Sequence, residues 1–205
     1  QDCLRSWSPS RGLGDLYKLL HQYTLQGLQM VRDEPGLIYH ALGVNGAATK
    51  SFLRSENFIE QGAYVAPDLV IFGLGINDAY KPDSDWHPEE YKARYDTLVD
   101  WFRTINPDCA FIFMTNNDSY YKRRTPNKHA LDVVRVMEEV SKEHDAALWG
   151  LFGGMGGLDS LVLWGAQRLG KSDPIHVTRA GDRRSSDVVF WAYMEAEGTP
   201  SKAVA

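Results

Sequence analysis

The sequence has few of the features that mark specialised protein classes. Only two of its 205 residues are cysteines, Cys3 and Cys109, so neither a disulfide framework nor a cysteine-based zinc site is predicted. No apolar run approaches the roughly 18 residues of a membrane span, and residues 1–10 lack the apolar core of a signal peptide. The net charge is −5 with no basic half, which argues against a dedicated nucleic-acid binder.

The remaining composition is that of an ordinary globular protein. Hydrophobic residues make up 43% of the sequence and charged residues 24%. A length of 205 residues favours one domain that spans residues 1–205. Residues 1–13 show no periodicity and are expected to be irregular, and residues 197–205 are expected to form a frayed tail. Because the chain begins with Gln1, it is open whether it is mature, trimmed or a fragment.

Helical and strand patterns alternate along the chain. Apolar residues spaced three and four apart predict a first helix over residues 16–31. The predicted strands are short apolar runs at 37–42, 69–74, 110–114 and 147–152. Further helices are predicted at 47–61, 88–105, 128–144, 161–169 and 185–196, with a flexible loop at 153–160. This alternation predicts an α/β fold with a parallel sheet covered on both faces, although five strands would be usual for this size.

Polar or glycine-rich segments follow three of the predicted strands, and the carboxyl ends of parallel strands are where ligands bind. Gly46 lies in the first segment, GVNGA, where its backbone amide can approach a ligand closely or simply form a tight turn. Asn77 lies in the second, GIND, where it can donate a hydrogen bond to an oxyanion or only cap the loop. The glycine spacing matches neither a phosphate loop nor a dinucleotide-binding fingerprint.

The third segment combines amides, aromatic rings and cations. Asn117, Tyr120, Tyr121 and Arg123 lie in the stretch NNDSYYKRR, after the strand at 110–114. Adjacent tyrosines and cations form a platform for a sugar or another polar ligand, and the alternative is a solvated charged loop.

Asp173 and His176 are separated by two residues in a loop before the last predicted helix. A neutral histidine can take a proton from a hydroxyl nucleophile, and a carboxylate beside it fixes its tautomer and stabilises the imidazolium. A pair that only stabilises the loop is the alternative. The other histidines lack metal-ligand spacing, so no metal and no cofactor are predicted.

Taken in this order, VNGA, GIND and DPIH resemble the motifs of the SGNH hydrolases, also called the GDSL esterase/lipase family, over roughly residues 15–196. The resemblance implies a three-layer α/β/α sandwich with a flavodoxin-like parallel sheet, and hydrolysis of an ester without a cofactor. It implies that Gly46 and Asn77 supply oxyanion donors and that Asp173 and His176 complete a catalytic triad. It also suggests export from the cell.

The NNDSYY segment and its cations are similar to those of bacterial SGNH proteins linked to acetyl esters of carbohydrates and peptidoglycan. The resemblance therefore implies a small-molecule or glycan ester as substrate, contacted by Asn117, Tyr120, Tyr121 and Arg123. Removal of a short acyl group, acetyl foremost, is the expected reaction. An inactive glycan-binding protein and an O-acyltransferase are the alternatives.

The family's Gly-Asp-Ser block, which carries the nucleophile, is not found. Gly14-Asp15 stands near its expected place but is followed by Leu16, and residues 1–13 do not read as a central strand. Three explanations are open. The nucleophile lies upstream of this sequence, or the protein is a non-catalytic relative, or one of three serines acts from an unusual loop. Those serines are Ser6, Ser8 and Ser10.

Overall fold

The computed structural model describes residues 33–196, and the chain divides by its internal contacts into residues 1–42 and 43–205. In the first unit, residues 33–42 form neither helix nor strand, and Leu37 is 92% exposed. The predicted strand at 37–42 is therefore wrong, because within the described residues no neighbouring strand pairs with this run. The predictions for residues 1–31 and 197–205, Cys3 among them, lie outside the described residues, and the single domain stays a prediction.

The second unit alternates helices and strands. The elements follow in the order α1 (Thr49–Phe52), α2 (Phe58–Gly62), β1 (Leu69–Phe72), α3 (Ile76–Ala79), a 3-10 turn (Asp83–Asp85), α4 (Pro88–Ile105), β2 (Ala110–Met114), β3 (Tyr120–Tyr121), β4 (Thr125–Pro126), α5 (His129–Glu143), β5 (Ala147–Trp149), α6 (Leu151–Met155), α7 (Ser160–Ala166) and α8 (Arg179–Ala196). The bounds predicted for α4 and β2 are confirmed, and α5 differs by one residue at each end.

Other predicted bounds are wrong, for local reasons. The helix predicted at 47–61 is two short helices, because the exposed polar residues 54–57 between them turn instead of continuing α1. Strand β5 ends at Trp149, and part of the predicted flexible loop belongs to α6. Helix α8 begins at Arg179 rather than at residue 185, since the Thr178 hydroxyl accepts a hydrogen bond from the Gly181 amide (3.2 Å).

Strands β1, β2 and β5 form a parallel sheet with β2 in the centre, which confirms the predicted α/β class. One face of the sheet is buried against α4 and α5. There Phe72 stacks on Phe113 with ring centroids 5.2 Å apart, and Tyr95 of α4 meets both rings edge-on. On the other face Ile71 is 56% exposed. The alternation explains why β1 and β2 form strands here: every second residue enters the core.

The parallel arrangement places the carboxyl ends of all three strands at one edge. The segments after β1 and β2, which the sequence singled out, therefore start from neighbouring points. None of the helices in residues 33–196 is long and apolar enough to cross a membrane.

Candidate active site

The segment before α1 forms a tight turn around Gly46. The Ala47 amide donates a hydrogen bond to the Val44 carbonyl (3.0 Å), and Gly46 has a φ of +77°, a left-handed conformation that favours glycine. No hydrogen-bond acceptor is recorded for the Gly46 amide within residues 33–196. The turn thus exposes a backbone N–H group at the start of a helix.

A buried carboxylate fixes this turn to α3. Asp78, 1% exposed, accepts hydrogen bonds from the amide (2.9 Å) and the hydroxyl (2.6 Å) of Thr49, which is fully buried. The guanidinium of Arg94 lies 3.5 Å from the same carboxylate. Because Thr49 follows the turn by only three residues, the two segments are held together by charge-assisted hydrogen bonds.

Asn77 connects the same two segments at the surface. Its Nδ2 atom donates a hydrogen bond to the Ala47 carbonyl (2.9 Å), and the side chain is exposed. A carboxamide nitrogen carries two hydrogens, so the second stays available to a ligand. The bond therefore orients one donor beside the turn that carries Gly46.

The glycine of GIND is required by close packing. Gly75 has a φ of +149°, and a Cβ atom there would lie 2.6 Å from the Tyr91 hydroxyl oxygen. The hydroxyls of Tyr91 and Tyr95 both donate to the Leu74 carbonyl, at 2.8 and 2.7 Å. Burial raises the pKa of both phenols, so they remain proton donors there. Helix α4 thus positions the backbone immediately before Asn77.

Asp173 and His176 form the predicted pair. The His176 Nδ1 atom lies 2.8 Å from Asp173 Oδ2, and Asp173 Oδ1 accepts the amides of Ile175 (3.0 Å) and His176 (2.9 Å). Partial burial acts to raise the pKa of Asp173, but these hydrogen bonds outweigh it and lower that pKa to about 2. An ionised Asp173 accepts the Nδ1 proton, which leaves Nε2 of the ring as the proton acceptor.

The exposed edge of His176 is open. Its side chain is 57% exposed, and within residues 33–196 no hydrogen bond to Nε2 is recorded. The ring is therefore oriented by a carboxylate on one side and accessible on the other, as a general base requires.

The loop from Asp173 to His176, called the histidine loop below, is held by the segment that follows β2. Asn117 donates from Nδ2 to the Ile175 carbonyl (3.0 Å) and to the Asp118 carbonyl (2.7 Å). The Tyr120 amide donates to the Pro174 carbonyl (2.9 Å). Both hydrogens of the Asn117 amide are thus used within the protein, and a ligand can meet only its oxygen. Its substrate-binding role stays a prediction, beside the observed role of fixing the loop.

The other predicted binding residues lie on a β-hairpin formed by β3 and β4. The Tyr120 hydroxyl donates to Asp159, so its polar end is engaged within the protein. The Tyr121 ring lies 5.2 Å from the ring of Tyr80, between centroids. Arg123 is exposed at the tip of the hairpin. The structure thus brings Tyr121 towards the segment after α3, and a role in binding stays a prediction for all three.

Three residues that support the site were not singled out from the sequence: Thr49, Tyr80 and Asp118. Asp118 is fully buried, and its Oδ2 atom accepts the amide of Leu161 at the start of α7 (3.0 Å). Burial raises the pKa of this carboxyl, and backbone hydrogen bonds oppose that effect. The signal for Asp118 was its place after β2, but nothing local distinguishes a buried aspartate from the solvated one expected in a polar loop.

The site holds no evident metal-binding set. Within residues 33–196, no group of three or more histidine, cysteine, aspartate or glutamate side chains is placed to hold a metal ion. Among the described residues of the site, the Asn77 side chain can donate a hydrogen bond and His176 can accept a proton.

Solved structures with a similar fold include several ester hydrolases. A structure described as a peptidoglycan O-acetylesterase has a TM-score of 0.70 and 21% identity, with 78% of this chain and 47% of that chain covered. A lipase/acylhydrolase from Enterococcus faecalis has a TM-score of 0.52 and 22% identity, with 74% and 72% covered. An acetylxylan esterase from Geobacillus stearothermophilus has a TM-score of 0.50 and 17% identity, with 73% and 67% covered.

These likenesses concern the fold, and this chain spans about half the length of the peptidoglycan O-acetylesterase structure. No curated protein matches the sequence. A family model matches residues 11–184, which include Gly46, Asn77, Asp173 and His176. The chain belongs to the GDSL-like lipase/acylhydrolase family.

Proposed function

We propose that this protein is a serine-type carboxylic ester hydrolase that removes short acyl groups, acetyl foremost, from a carbohydrate or glycan. The observation that carries the proposal is the Asp173–His176 pair, with 2.8 Å between Oδ2 and Nδ1 and an exposed Nε2 atom. Family membership supports ester hydrolysis in general. The acetyl and glycan specificity draws support from the names of two similar structures, an acetylxylan esterase and a peptidoglycan O-acetylesterase.

The proposed mechanism is acyl transfer to water. A serine hydroxyl attacks the ester carbonyl while Nε2 of His176 takes its proton, and the carbonyl oxygen becomes an oxyanion. The Gly46 amide and the free Nδ2 hydrogen of Asn77 stabilise that oxyanion. The protonated His176 then gives its proton to the departing alcohol. Water attacks the acyl-enzyme with His176 again as the base, which releases the acid and the free serine.

The serine is the one participant that residues 33–196 do not identify. The candidates Ser6, Ser8 and Ser10, and the Gly14–Leu16 segment, lie outside the described residues. The experiment must therefore find the nucleophile as well as test for it. A fluorophosphonate does both, because it forms a stable covalent adduct only with an activated hydroxyl.

The full chain is incubated with a fluorophosphonate, and its intact mass is measured before peptide mapping. We expect one adduct, on one serine, which the His176→Ala variant fails to form. His87→Ala is the matched control, because His87 is exposed and its side chain makes no capping hydrogen bond at the start of α4. The absence of an adduct on both the parent chain and an N-terminally extended chain would overturn the proposal, and saturable glycan binding would then favour the inactive binding protein. An adduct on the extended chain alone would place the nucleophile upstream of this sequence.

Two further assays separate the finer parts of the proposal. Aryl acetate and aryl octanoate, compared by kcat/KM, test the acyl chain length, and a preference for octanoate would contradict removal of short acyl groups. Acetate release in the presence and absence of an added sugar alcohol tests water as the acceptor. Transfer of most acetyl groups to the sugar would identify an O-acyltransferase instead.

A further inference from the structure

The tip of the β3–β4 hairpin carries three consecutive cations, Lys122, Arg123 and Arg124, all exposed. No ion pair with an acidic side chain is recorded for any of them within residues 33–196. Among the described residues, the side-chain contact recorded for these cations is that of the Lys122 ammonium with the face of the Tyr121 ring, 5.2 Å from its centroid. Unpaired cations gathered on one turn are notable in a chain whose net charge is −5.

The backbone of this turn is strained. The Arg124 amide donates to the Tyr121 carbonyl (3.1 Å), and the two central residues have positive φ angles, 49° for Lys122 and 59° for Arg123. Three residues separate the paired Tyr121 and Thr125, and positive φ angles at two successive residues are tolerated best by Gly and Asn, because the Cβ atom of other residues is crowded there. Lys122 and Arg123 are therefore not the residues that would make this turn most stable. Backbone strain of this kind is often found at functional sites.

The hairpin also contacts the two segments that carry His176 and Asn77. The hairpin is tied to the histidine loop by the hydrogen bond from the Tyr120 amide to the Pro174 carbonyl (2.9 Å). The hairpin also contacts the segment that carries Asn77, because the Tyr121 ring packs against Tyr80, which directly follows α3. An aromatic pair next to cations offers an apolar face for a sugar ring and positive charge for a group attached to it.

We propose that Lys122, Arg123 and Arg124 form a subsite for a carboxylate carried by the ester substrate, so that the enzyme prefers esters of acidic sugars. This inference rests on the proposed function. Arginine suits this task because its planar guanidinium binds a carboxylate through two parallel hydrogen bonds. The subsite also gives a negatively charged substrate a local attraction on a protein of like net charge.

The test uses a variant that removes charge while improving the turn. Lys122→Asn with Arg123→Gly places residues that tolerate a positive φ angle at both positions, so the fold should be at least as stable as the parent by thermal unfolding. Lys142→Gln is the control, because Lys142 is an exposed cation at the far end of α5. Turnover is measured with 4-acetoxybenzoate, which is anionic, and with the neutral 4-acetoxybenzamide. Binding is measured by calorimetry with a galacturonate trimer and a neutral galactose trimer.

The anionic-to-neutral ratio of kcat/KM is expected to fall by about fivefold to twentyfold in the double variant, since each exposed charge contact contributes about 1.4-fold to fivefold and a bidentate one more. The control should keep the parent ratio. The parent preference should also shrink in 1 M salt, where charges are screened beyond about 3 Å. An unchanged ratio in a stable double variant would overturn the subsite.

The two proposals fail in different ways. If both aryl acetates are hydrolysed and the double variant keeps the parent's anionic-to-neutral ratio of kcat/KM, the proposed esterase activity is supported and the subsite is refuted. Preferential binding of the galacturonate trimer, lost in the double variant, supports the subsite even if neither ester is hydrolysed, and in that case the proposed esterase is refuted. Equal binding of both trimers by the parent contradicts the subsite by itself.

Discussion

Replacing Thr49 by valine tests whether the buried hydrogen bonds of Asp78 hold the Gly46 turn and α3 together. Valine keeps the volume and the β-branch of threonine but removes the hydroxyl that donates to Asp78 Oδ1 at 2.6 Å. The carboxylate is 1% exposed, so water cannot replace the lost donor without opening the structure. A hydrogen bond to a charged group contributes about 1.5–3 kcal/mol, so the free energy of unfolding should fall by about that amount.

The assay is urea unfolding of the parent, Thr49→Val and Thr49→Ser. Domains are usually stable by about 5–15 kcal/mol, so the valine variant should remain folded, with a lower midpoint and an unchanged slope. Thr49→Ser is the matched control. It keeps the hydroxyl and loses one methyl group, at a cost of about 0.8 kcal/mol. A valine variant as stable as the parent, or more stable than the serine variant, would refute the reasoning.

Asn77→Ala should lower kcat for an aryl acetate by about a hundredfold or more with an unchanged unfolding midpoint, since one oxyanion donor is lost; His176→Ala should lower it at least as far. Asp173→Asn should lose stability relative to the parent above pH 4, and the difference in unfolding temperature should shrink towards pH 2, because a carboxylate whose pKa is lowered to about 2 stabilises only while ionised. Gly75→Ala should lower activity together with stability, as its Cβ would meet a hydroxyl at 2.6 Å. Asn117→Ala should lower kcat and alter the pH profile of kcat/KM, whereas loss of a purely substrate-binding role would raise KM and leave that profile unchanged.

The sequence predicted elements best where the local pattern and the tertiary environment agree. In β2, alternation of buried Phe111 and Phe113 with less buried residues matches the pleat, and the predicted bounds are confirmed. In α4, Pro88 at the first position and two acidic residues in the first turn mark the start. The run at 37–42 is also largely apolar, but strand formation needs a hydrogen-bonding neighbour, which no local pattern supplies.

The supporting residues were harder to predict because their partners are distant in sequence. Thr49 and Asp78 are 29 residues apart, and Asn117 and Ile175 are 58 apart. Nothing at any of these positions indicates the contact, since a threonine near a helix start and an asparagine in a polar loop have common local roles. The pair Asp173 and His176 was accessible from the sequence because its members share one loop.

Three of the ties between the site segments have a property in common: a backbone carbonyl accepts the hydrogen bond. Asn77 donates to Ala47, Asn117 to Ile175, and the Tyr120 amide to Pro174. Every residue has a backbone carbonyl, so the residues that accept these hydrogen bonds can be replaced without losing them. The two asparagines that donate from their side chains cannot be replaced in this way.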